Sequence, residues 1–215
     1  WLNSHGAGIL VDGQFGAITE VATLQLFTNM DAPAVNDADI TAFASLLAVS
    51  PKQVRAVAKV ESSGGGFDDL GRPKILFERH YFHRLTNGIY GLSNVSDPGA
   101  GGYGPSSTQW GRLLRAMRLD PGAAFQSASW GMFQIMGSHW QTLCYPLPVS
   151  MPWAMVQSEA DHYEALIRFV QVNTLQDEMR ALSPNPETCR AFARKYNGPA
   201  YEKNRYHIKL AEAMW

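Results

Sequence analysis

Glu61 is the side chain best placed to do acid–base chemistry. Ser50 reads as a helix N-cap, Pro51 as the first helical residue, and Gln53 completes a capping box with Ser50. Val54, Val57, Ala58 and Glu61 then recur at i, i+3, i+4 and i+7, one face of one helix. A carboxylate therefore sits on the apolar stripe. Gly64-Gly65-Gly66 ends the helix just beyond it. Partial burial disfavours the charged carboxylate, and so does the negative end of the helix dipole. Both effects raise the pKa, which is what a general acid working near neutral pH needs. Spacing alone leaves a second reading, a terminal Glu that curls into solvent. His80 and His83, three apart on an expected helix with Glu78 nearby, raise the question of zinc. The chain has no HExxH and no evident third ligand, so we expect no metal and no cofactor.

The elements that would position these groups come from a chain of 215 residues, enough for one good-sized domain. Apolar residues make up 46% of it and charged residues only 17%, below the usual quarter. The surface is then built from Ser, Thr, Asn, Gln and Gly with some of the six Trp and eight Tyr, a composition that suits sugars. A formal net charge of −1 gives no basic stripe for nucleic acid, so no nucleic-acid partner is expected. No run is long and apolar enough to cross a membrane, so no insertion is expected either. A monomer is expected. No signal peptide is visible, although the chain starts at Trp1 in mid-pattern. Cys144 and Cys189 form no CxxC pair and read as buried apolar residues.

Along the chain, Thr19 could cap a first helix, and 31–37 reads as a linker containing Pro33. Asp37 or Asp39 caps a helix with Ile40, Phe43, Ala44 and Leu47 on its stripe. Residues 67–76 hold a turn at Asp69-Leu70-Gly71 and an extended piece, read as a small hairpin. Phe77 to Leu85 reads as helical. The glycine-rich stretch 86–107 is too long for a plain connection and reads as a lid or groove wall. The remainder reads as helical to the end, with Ser150 capping one long helix through Val170. Residues 129–137 form an uncharged apolar segment around one buried-looking amide, Gln134. Asn185-Pro186-Glu187 starts a helix striped with Cys189, Phe192, Ala193 and Tyr196, and Asn197-Gly198-Pro199 breaks it. Tyr201, Ile208 and Leu210 mark a last helix.

Three separated pieces line up: Glu61-Ser62-Ser63-Gly64, Gly131-Met132-Phe133-Gln134-Ile135 and Lys195-Tyr196-Asn197-Gly198. In this order they resemble the lysozyme superfamily, in particular goose-type lysozymes and lytic transglycosylases. From about 36 to 215 the chain resembles most closely the N-acetylmuramidase domain of phage endolysins. The marks are VESSGGGF (60–67), GRPKILFERH (71–80) and SASWGMFQIMG (127–137). Val11-Asp12-Gly13-Gln14-Phe15-Gly16, with Thr19, Val21-Ala22 and Leu26-Phe27, is similar to the second half of a peptidoglycan-binding three-helix module. That family's Phe-Gln pair is Phe27-Thr28 here, and its first helix is almost absent.

The resemblance implies a mainly α, lysozyme-like α+β fold with a small β-hairpin. It divides the chain into a partial peptidoglycan-binding module with linker (1–35) and a muramidase catalytic domain (36–215). It implies peptidoglycan glycan strands as substrate, cut at the β-1,4 bond between N-acetylmuramic acid and N-acetylglucosamine. Glu61 would be the acid, and Gln134, Tyr196 and Asn197 would line the groove, with Tyr196 bonding Glu61. Ser129, Trp130 and Phe133 would be further groove contacts. The second carboxylate is Asp68, Asp69 or Glu78, with Glu78 preferred for its apolar setting. A lytic transglycosylase leaving 1,6-anhydro ends and a non-catalytic wall-binding protein are the alternatives. The expected route is synthesis in a host cytoplasm and action on the cell wall from the periplasm.

Overall fold

A reciprocal cap starts the helix that carries Glu61. The Ser50 amide donates to Gln53 Oε1 at 2.8 Å, and the Gln53 amide donates to Ser50 Oγ at 3.3 Å. Gln53 also donates from Nε2 to the carbonyls of Arg180 and Leu182, at 2.5 and 3.2 Å, tying this helix start to a distant turn. The computed structural model describes residues 1–61 and 65–215. The Gly64 end of the helix stop and the Ser62-Ser63 that follow the acid lie outside the described residues.

The helices in order are α1 (Ala17–Leu26), α2 (Asp37–Leu47), α3 (Pro51–Glu61), α4 (Arg79–Leu85), α5 (Gln109–Met117) and α6 (Pro121–Gln126). They continue as α7 (Ser150–Gln157), α8 (Glu159–Val172), α9 (Gln176–Arg180), α10 (Pro186–Asn197) and α11 (Tyr206–Ala213). Strands β1 (Ile75–Phe77), β2 (Ala128–Trp130) and β3 (Ile135–Met136) form one antiparallel sheet in that order. The fold is mainly helical with one small sheet, as expected. Val54, Val57 and Ala58 are buried on α3, so its apolar stripe faces the core. Asn36 caps α2 through its own side chain, and Asp39 completes that box.

Several local expectations change. The turn at 69–71 is present, closed by a Phe67–Pro73 bridge, but β1 finds its partner elsewhere. Leu76 pairs with Ser129, and Ser129 with Met136. Residues 128–136 are therefore a hairpin and not helix, turned by Gly131 and Gln134, both at positive φ. The long helix expected from Ser150 breaks at Ser158, whose extended backbone and side-chain bond to the Asp161 amide restart it as α8. Cys189 is buried, but Cys144 is exposed on a turn with φ 59°. Residues 1–35 lean on the rest through Phe27, which is fully buried against Trp110, Phe125, Trp130 and Trp153.

Candidate active site

α3 delivers Glu61 at its last residue to a groove of about 820 Å³. The groove wall also takes in Asp68 and Asp69 from the 67–73 turn, Ile75 and Leu76 from β1, Gln134 from the hairpin turn, and Gly104 and Ser106 from the glycine-rich loop. That loop is thus a wall. Gln109 fixes it by donating from Nε2 to the Tyr103 carbonyl at 2.6 Å and accepting the Phe77 amide at 3.0 Å.

Glu61 is half-buried, and burial pushes its carboxyl above the usual carboxylate range. Two features oppose that push. The Tyr206 hydroxyl donates to Glu61 Oε1, and the positive charge of Lys209 lies near. Both come from α11, which packs against α3. The bonding tyrosine is therefore Tyr206, not Tyr196. Tyr196 stacks between Phe192 and Tyr206, with ring centroids 5.2 and 6.2 Å away, and its buried hydroxyl has no hydrogen-bond partner among the described residues. Burial first, then the nearby Glu61 charge, holds the Tyr196 phenol well above its usual range.

Gln134 is exposed, not buried, because φ 48° turns its side chain into the groove. Its amide is already oriented. Ser129 Oγ donates to Oε1 at 2.8 Å, and Nε2 donates to the Gly131 carbonyl at 2.9 Å. Ser129 is itself buried under Gln134, so it acts on the amide and does not face the groove. Phe133 is also buried, its ring edge-on to Tyr163 at 4.9 Å, and Trp130 is fully buried; Met132 takes the groove position instead. Asn197 is exposed at the end of α10 and is not part of the groove wall.

Glu78 does not line the groove either. It sits at the N-terminus of α4 without a side-chain cap bond, its carboxylate lies 3.1 Å from His80 Nδ1, and burial followed by the Glu78 charge pushes the Tyr103 phenol up. The apolar neighbours that made Glu78 attractive, Ile75 and Phe77, are core residues of β1. His83 turns elsewhere, its Nδ1 3.0 Å from Ser96 Oγ, so the two histidines do not converge. Asp68 is saturated. It accepts both Arg72 Nε and Nη2, at 2.9 and 2.7 Å, and the amides of Leu70 and Arg72. Asp69 is exposed in the groove and has no polar partner among the described residues.

A half-buried glutamic acid at a helix end, facing an oriented amide across a groove between helices and a small sheet, defines a lysozyme-like glycoside hydrolase. The chain matches the N-acetylmuramidase family over residues 50–215 and belongs to it. It is similar to the crystal structure of a Burkholderia AP3 phage endolysin, 32% identical with a TM-score of 0.78. The likeness covers 99% of this chain and 90% of that one. No curated protein matches the chain. The protein is a muramidase, a hydrolase of peptidoglycan.

Proposed function

We propose that this muramidase cuts the β-1,4 bond between N-acetylmuramic acid and N-acetylglucosamine with Glu61 as its general acid. The observation that carries the reading is the Glu61 carboxyl, raised by burial and open to the same groove as Gln134. Tyr206 occupies Oε1, which leaves Oε2 to carry the proton toward the glycosidic oxygen. Proton transfer from a group poised this way contributes about 10²–10⁴-fold. The Gln134 amide, a group able both to donate and to accept, holds a substrate acetamide or hydroxyl.

The water-activating base in this reading is Asp69. Asp68 spends its lone pairs on Arg72 and backbone amides, and Glu78 lies outside the groove. In this reading the groove works as an inverting hydrolase, a mechanism that needs the two carboxyls far enough apart to admit a water molecule. Residues 1–35 serve as the remnant of a wall-binding module that steadies the catalytic domain. The protein acts as an endolysin-type enzyme, made in a host cytoplasm and working as a monomer on the wall from the periplasm.

Mass spectrometry of digested sacculi tests the reading. Wild type and Glu78→Gln should release fragments with ordinary reducing ends, while Asp69→Asn should release about 10²-fold fewer. Fragments lighter by one water would make the enzyme a lytic transglycosylase. Full release by Asp69→Asn would remove Asp69 from the mechanism.

A further inference from the structure

Beneath the groove floor sits a polar side chain that the mechanism above does not use. His162 on α8 is 0% exposed. Its Nε2 lies 2.8 Å from the Met155 carbonyl, which can only accept, so Nε2 carries the proton. Its Nδ1 lies 2.9 Å from the Met132 amide, which can only donate, so Nδ1 is bare. The two partners together fix one tautomer.

The ring is gripped by backbone on both sides. A β-carbon at Gly66 would fall 2.6 Å from the ring, and one at Gly131 would fall 2.3 Å from Nδ1. Neither approach is open to a residue other than glycine, and Gly131 also needs φ 70°. Gly66 belongs to the segment that follows Glu61, and Gly131 opens the turn that ends in Gln134. Lys74 joins the same two segments from the other side. Its amide donates to the Gly66 carbonyl at 2.8 Å, and its carbonyl accepts the Gly131 amide at 2.7 Å. The Phe67 ring closes over the imidazole edge-on at 4.9 Å.

We infer that His162 is the positioning residue of this active site: wedged between Gly66 and Gly131, it sets the Gln134 turn against the groove wall at Gly65 and Gly66. The Met132 bond is the active half of the device, because Met132 lies inside the four-residue turn that Gln134 ends. The Met155 bond only anchors the ring. This inference rests on Glu61 and Gln134 being the working pair proposed above.

Two substitutions separate the halves. His162→Asn keeps an acceptor at the Nδ1 position and loses the anchor. His162→Gln keeps a donor at the Nε2 position and loses the acceptor for Met132. The measurement is kcat and KM on a soluble, uncrosslinked glycan oligomer of alternating N-acetylglucosamine and N-acetylmuramic acid, with Tm recorded alongside. A misplaced turn costs about 10²-fold in rate, so His162→Gln should lose about that much kcat while His162→Asn retains most of it. Equal kcat for the two variants would overturn the inference, whatever their Tm. Should either fail to fold, the ring ¹⁵N spectrum of the wild-type enzyme decides. A bare Nδ1 with a protonated Nε2 supports the inference, and a proton on Nδ1 at neutral pH overturns it. Glu61→Gln serves as the control: if it stays active, the functional reading has failed and not the role of His162.

Discussion

At Glu61, burial and hydrogen bonding pull in opposite directions, and the balance sets the working pH. Burial favours the protonated carboxyl, and the Tyr206 hydroxyl and Lys209 favour the carboxylate. Removing the hydroxyl should therefore raise the Glu61 pKa further. Since the protonated form is the working acid, Tyr206→Phe should shift the basic limb of the kcat/KM profile to higher pH. A pH–rate series on soluble glycan reads this directly, and an unmoved limb would take Tyr206 out of the acid's tuning. Glu61 was legible in the sequence because its neighbours recur with helical period behind a capping box. Tyr206 was not. Two stacked tyrosines compete for the acid, and which one reaches it depends on how α11 docks on α3, a long-range fact that no local pattern carries. The signal nearest to hand was the buried stripe of Tyr206, Leu210, Ala211 and Met214.

Among elements, the β2–β3 hairpin matters most, and it is the one the sequence concealed. Short apolar runs do not separate strand from buried helix, and β2 is buried on both faces. Its partner β1 lies more than fifty residues upstream, with Leu76 opposite Ser129. A one-residue difference in what faces the groove follows from the turn: Met132 and Gln134 line it, and Phe133 goes to the core. The tight packing of that turn yields a stability prediction. Gly131→Ala places a methyl group 2.3 Å from His162 Nδ1 and at positive φ. Strain and overpacking together cost about 3 kcal/mol, a fall in Tm of about 9 °C for a chain of this length. Thermal unfolding by circular dichroism checks it, and an unchanged Tm would mean that the turn relaxes freely. Helices α3 and α10 were legible because their caps and stripes are local; α2 was legible from its stripe, although Asn36 and not Asp37 or Asp39 caps it, and the break at Ser158 was not legible, since neither Pro nor Gly marks it.

For the molecule as a whole, the buried polar groups set the dependence of stability on pH. Burial lowers the His162 pKa from 6.5 to about 4. The folded state therefore binds fewer protons than the unfolded state between those values, and stability rises with pH across that window. The ring's contribution is full above pH 6.5 and is lost as pH falls toward 4, about 3 kcal/mol in all. Glu61 acts with the opposite sign, because a raised carboxyl makes the folded state hold its proton longer and costs stability as pH rises above 4.5. Urea unfolding at several pH values should show a net gain from pH 4 to 6.5, and His162→Asn should flatten that rise. A curve identical in wild type and variant would contradict this assignment. The N-terminal segment takes part in the same core through Phe27, so these unfolding curves should report one transition.

The central claim is that Glu61 delivers the proton. Release of reducing ends from purified sacculi by wild type and Glu61→Gln, at matched Tm, tests it most directly. The substitution keeps the shape and an acceptor for Tyr206 but cannot protonate the leaving oxygen. We predict a loss of at least about 10²-fold in rate. Release within a few-fold of wild type by a folded Glu61→Gln enzyme would contradict the account.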